Sequence, residues 1–141
     1  MVASTSFLDD ICSYIGDKTD FYYGDADVLP GGKNSWLKAG ELPKDINGVY
    51  AMQIPTEAPD RETGVMYFRI DFWALNKSTA DGYADLQKIY DLFYLNHDFP
   101  TDNFYVFQSF MEGQAEDWDR TIDNLKALSL SAIFYVRYLI S

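Results

Sequence analysis

Residues 68–95 read FRIDFWALNKSTADGYADLQKIYDLFYL, and within this stretch the spacing of apolar side chains changes from strand-like to helical. Phe68, Ile70, Phe72 and Ala74 alternate with Arg69, Asp71 and Trp73, the pattern of a half-buried strand. From Tyr83 the apolar positions recur with the helical period of about 3.6, through Leu86, Ile89 or Tyr90, and Phe93. Ser78 and Asp81 form a helix-start signature between the two, and Asn96 is able to end the helix near Leu95. A strand therefore feeds a helix, and one face of the first can meet one stripe of the second. The predicted core is Phe68, Ile70, Phe72, Leu86, Ile89 and Phe93, joined by Phe134 and Val136 from the end of the chain.

Upstream, Ser6 and Asp9 repeat the start signal. Phe7, Leu8, Ile11, Tyr14 and Ile15 then make one stripe of a first helix that ends near Gly16. Asp20 to Gly24 reads as a short strand, and Asp25 to Lys44, rich in Pro, Gly, Asp and Lys, as a long irregular segment. Gly48 to Ile54 is a strand, joined by the loop Pro55 to Gly64 to the strand that opens at Val65.

Downstream, DNFYVFQSFMEG alternates so as to put Phe104, Val106 and Phe110 on one face and Tyr105, Phe107 and Met111 on the other, which reads as a central strand. Gln114 to Asn124 reads as a polar loop. The closing strand places Leu128, Leu130, Ala132, Phe134, Val136, Tyr138 and Ile140 on a common face. The order gives an α+β fold in one domain spanning 1–141: a mostly antiparallel sheet with two main helices packed on one face.

The bulk properties narrow the function. Of 141 residues, 22 are acidic and 11 basic, and the resulting charge of −11 is spread along the chain without an acidic tail. Such a surface suits neither nucleic-acid backbone nor anionic lipid, both of which select concentrated Lys and Arg. No secretory signal is read at the start, so an intracellular protein is expected, with no membrane partner. The 11 Tyr, 10 Phe and 3 Trp are many; they fill cores, and Tyr and Trp are also the residues of interfaces.

Chemistry-bearing motifs are scarce. His97 is the single histidine and Cys12 the single cysteine, which removes a His-rich metal site and an internal disulfide. The Gly31, Gly32, Lys33, Ser35 group lacks the spacing of a phosphate-binding loop, because the early glycine is missing and Asn34 separates Lys33 from Ser35. Glu116, Asp117, Asp119 and Asp123 do not fall in a calcium-loop register. Asp25 and Asp27 are as well explained by turn formation as by an acid/base pair. No catalytic set, metal or cofactor is expected. The charged extensions Pro55 to Gly64 and Glu112 to Asn124 are predicted contact surfaces, with Arg61, Glu62, Trp118, Asp119 and Arg120 as the candidate protein-interaction residues.

The run VMYFRIDFWALNKSTADGYADLQKIYDLFY, followed by NFYVFQSF and the closing LSLSAIFYVRYLI, resembles the minor capsid and tail terminator (head-tail joining) proteins of long-tailed phages over about Phe7 to Leu139. The resemblance implies a twisted antiparallel sheet with two helices on one face and a structural, non-enzymatic role. It implies self-association into a hexameric ring that caps the tail tube and provides the surface for head attachment. The partners would be the tail tube protein and a head-completion protein, with DNA passing through an acidic lumen without specific binding. The protein would then reside in the virion, at the head-tail interface, and in the host cytoplasm during assembly. A monomeric intracellular protein-binding module or small inhibitor is the alternative, and solution mass separates the two.

Overall fold

The computed structural model describes residues 7–24, 28–39, 48–54, 64–76, 79–94, 96–122 and 125–139, and for 75–76, 79, 97, 112–122 and 125–128 it describes the backbone alone. Ser6, Ser78 and the loop 55–63 lie outside the described residues, as do Asp25, Asp27 and Ile140. The elements run α1 (Phe7–Lys18), β1 (Phe21–Tyr22), β2 (Ser35–Ala39), β3 (Gly48–Ile54), β4 (Met66–Asn76), α2 (Thr79–Phe93), β5 (His97–Pro100), β6 (Phe104–Ile122) and β7 (Leu125–Tyr138). The fold is α+β: two helices and one seven-stranded curled sheet of order β1-β2-β3-β4-β7-β6-β5.

The sheet is mixed rather than mostly antiparallel. β1 pairs β2 and β2 pairs β3 in parallel, and the four remaining ladders are antiparallel. The reason is β2, five residues inside the stretch read as irregular, whose SWLKA alternation is too short to stand out between turn residues. Its partner β3 begins at Gly48 for a steric reason: a Cβ there would lie 2.5 Å from the Trp36 carbonyl oxygen across the ladder.

Three further readings change. His97, which follows the main helix in the sequence, opens a short strand, β5, that the sequence reading did not include. β6 lies second from the sheet edge, between β7 and β5, and not at its centre. The polar run from Gln114 is not a loop, because β6 continues to Ile122 and pairs β7 down to Ile122↔Leu125. That pairing is irregular, with register shifts between Val106 and Gln108, Glu112 and Glu116, and Asp117 and Thr121. Ladder pairing overrides the weak strand propensity of Glu, Asp, Gln and Gly in this stretch.

The first of these shifts reverses the parity of the strand. Phe104 and Val106 are buried, Phe107 is the extra residue, and beyond it Ser109 is buried while Phe110 is exposed. Phe110 therefore shares a face with Tyr105, contrary to uninterrupted alternation, because a bulge exchanges the faces of everything that follows it.

The predicted core is present. Ile70, Phe72, Ile89, Phe93, Phe134 and Val136 have no solvent exposure, Leu86 has almost none, and Phe68 packs partly buried against them. Phe7 of α1 stacks on Phe68 at 4.8 Å and meets Phe104 edge-on at 5.2 Å, while Phe93 of α2 meets Phe134 edge-on at 5.0 Å. Each fully buried phenylalanine contributes about 1.5–3 kcal/mol.

Polar groups fix the helix ends. α1 runs past Gly16 to Lys18, and the Lys33 ammonium donates to the carbonyls of Gly16 (2.7 Å) in its last turn and of Thr19 (3.0 Å) just beyond it. The lysine of the Gly-Gly-Lys turn is thus a helix cap. Asn96 terminates α2 as expected, its amide donating to the Leu92 carbonyl at 3.1 Å. Buried Asp85 of α2 accepts from Ser35 of β2 at 2.9 Å, and Lys88 bridges Asp20 at 3.1 Å and Asp85 at 3.6 Å. Among the described residues no helix is long and apolar enough to cross a membrane.

Candidate functional site

The helix contacts just described use one alternating set of strand residues: Ser35 on β2, Phe68 on β4, Phe104 and Ser109 on β6, and Phe134 on β7, with Ser109 donating to the Phe93 carbonyl at 2.7 Å. Pairing register then assigns the opposite set. Tyr67 faces Tyr135, Arg69 faces Ile133 and Asp71 faces Ser131 across β4 and β7, and Arg137 faces Tyr105 across β7 and β6. These residues share the other side of the pleat.

On that side a row of rings crosses three strands. Tyr67 and Tyr135 lie 5.9 Å apart, and Phe110 meets Tyr135 edge-on at 5.7 Å. Phe110 keeps 44% of its surface in solvent and Tyr135 38%. Beside them the exposed Arg137 guanidinium lies over Tyr105 at 5.7 Å and Phe107 at 5.4 Å. The Tyr105 hydroxyl donates to Asp98 at 3.2 Å, and local desolvation together with this carboxylate raises the phenol above its ordinary range. Asp98 has a left-handed backbone (φ 57°), a conformation that Asp adopts more readily than most residues.

Next to the ring row, Arg69, Asp71 and Ser131 form a compact cluster. Arg69 Nε lies 3.2 Å from Asp71 Oδ1, Arg69 Nη2 donates to Ser131 Oγ at 3.2 Å, and Ser131 donates to Asp71 at 2.6 Å. The serine donates to a carboxylate that is already ion-paired with the guanidinium, so the three side chains satisfy one another. The cluster ties β4 to β7. This side of the sheet therefore carries half-exposed rings and one guanidinium stacked on two of them.

Of the residues predicted from sequence, three are described by their backbone alone and two are not described. Trp118, Asp119 and Arg120 lie on β6, inside the register shift between Asp117 and Thr121, and their placement is on a strand rather than a loop tip. Arg61 and Glu62 lie outside the described residues. The structure instead brings together Tyr67, Tyr135, Phe110 and Arg137. The outward reading of Tyr105 and Phe107, which carry Arg137, is visible in the alternation; the bulge that adds Phe110 to the row is not.

The other chemistry-bearing residues have structural surroundings. Cys12 is fully buried, and burial, reinforced by the charge of Asp9, pushes its thiol far above its ordinary range and suppresses the reactive thiolate. His97 lies on β5 by its backbone. Among the described residues no group of three or more His, Cys, Asp or Glu is placed to hold a metal ion. No protein-family model matches the chain, and comparison with curated proteins finds no similar sequence.

Proposed function

We propose that this chain is a structural assembly protein that closes into a ring of six copies, in the manner of the phage tail terminators its sequence resembles. The observation that carries this reading is the half-exposed row of Tyr67, Tyr135 and Phe110 on the side of the sheet opposite the helix contacts. A repeated subunit in a closed ring uses one heterologous contact many times, and a preformed aromatic row supplies apolar area at low ordering cost. Both helices lie on one face in this account, leaving the other for a neighbouring copy.

The ring caps a tail tube, with the tube protein on one side and a head-completion protein on the other, within the virion. Its acidic composition lines a lumen through which DNA passes without adhering, because like charges repel. Deleting the gene from the genome that carries it tests the role. The expected particles have tails of uncontrolled length or tails without heads. Normal tail length and normal attachment would falsify the proposal.

A further inference from the structure

A cavity of about 370 Å³ lies between α1 and the segment from Phe99 to Asp102, toward the lower end of the roughly 300–1,000 Å³ typical of ligand pockets. Tyr14, stacked on Phe99 with ring centroids 4.7 Å apart, gives it an aromatic lining, continued by Pro100. Three carboxylates line it against one ammonium, Lys18. One of the three is committed: buried Asp10 accepts from the Thr101 hydroxyl (2.9 Å), the Asn103 backbone N–H (2.7 Å) and the Asn103 side-chain amide (3.0 Å). These bonds also make the lining rigid, since they fix the β5–β6 turn to α1. Asp17 and Asp102 are exposed, and among the described residues neither has a cation at salt-bridge distance.

The aromatic lining already attracts a cation of the chain itself, for the Lys18 ammonium lies 5.9 Å from the centroid of Tyr14. We propose that this cavity is a receptor for the guanidinium group of an Arg side chain of a protein partner. Each part of the lining has a role in such binding. The rings take the planar face or the aliphatic stem, and Asp17 and Asp102 supply acceptor oxygens for the charged head. The excess of carboxylate over ammonium rejects anions. A guanidinium suits the site better than a compact ammonium, because it stacks on rings and pairs two-pronged with a carboxylate. The proposal is independent of ring formation and would hold for a monomer.

The test is a titration of the full chain followed by backbone amide NMR, with N-acetyl-arginine amide as probe and N-acetyl-citrulline amide as its uncharged near-isostere. The expected result is saturable, salt-sensitive shifts at Ser13, Tyr14 and Asp102 with the arginine probe and none with citrulline. Asp17→Asn combined with Asp102→Asn is expected to weaken binding about fivefold or more, as loss of two exposed charge contacts implies. Tyr14→Leu, with the carboxylates intact, tests the aromatic part through the same readout. Equal shifts with citrulline, or undiminished binding in the double Asn variant, would overturn the proposal. Ethylammonium binding as tightly as the arginine probe would also overturn it, in favour of a site for small free amines.

Discussion

Along β4, β6 and β7 the two alternating sets of side chains are both aromatic, yet they end in different surroundings. Phe72 and Phe134 have no exposed surface, while Tyr135 and Phe110 keep more than a third of theirs. The covered set is dominated by Phe, which has no polar atom to satisfy. The open set mixes Phe110 with Tyr and Arg, whose polar ends remain hydrated while their bodies lie on the sheet. Parity along one strand thus separates the covered side chains from the exposed ones.

The largest effect is expected in the covered set. Phe134→Ala removes a ring that contacts both Phe7 and Phe93, and should cost about 3–5 kcal/mol in urea unfolding. A loss near that of an ordinary surface change would erase the distinction between the sets.

Asp10→Ala comes next. It removes the acceptor of two Asn103 donors and one of the two acceptors of the Thr101 hydroxyl, which keeps the Phe104 carbonyl at 3.2 Å, and a cost of about 1–3 kcal/mol is expected for the donors left unpaired. The measurement is again equilibrium unfolding, and Asp10→Asn, which keeps an acceptor, should recover part of the loss.

A smaller, pH-dependent effect is expected at Asp20. The Asn34 amide at 2.7 Å, and then Lys88, hold its carboxyl below the ordinary value of 3.8. A lowered folded pKa stabilises the fold fully above the unfolded value, and the stabilisation is lost as pH falls through the folded value. Unfolding curves of Asp20→Asn should therefore lie below wild type at neutral pH and converge on it in acid. A constant gap at all pH values would contradict the assignment.

The smallest effect on stability belongs to the open set. Phe110→Ala should change monomer stability by within about 0.5 kcal/mol, as for surface sites generally, while weakening self-association. A large destabilisation with intact assembly would move Phe110 into the covered set.

What was legible in the sequence follows from how far a period runs without interruption. β4 and α2 each hold one period over many residues, so their register and the core from Ile70 to Val136 could be read directly. β2 could not, because five alternating residues between turn formers carry too little signal. The end of β6 was hidden by composition: Glu112, Gly113, Gln114 and Asp117 disfavour a strand that only pairing with β7 makes. The contact surface was half visible. Tyr105 and Phe107 showed the outward parity, but the bulge after Val106 moved Phe110 across the sheet, and no residue type announces a bulge.

The most direct test of the account is the mass of the purified chain by sedimentation as its concentration is raised, for wild type and for Phe110→Ser. The account predicts that wild type passes from monomer to one closed species of several copies, six being the expected number, and that the variant remains a folded monomer over the same range. A wild type that stays monomeric at every concentration, or a variant that assembles equally well, would contradict it.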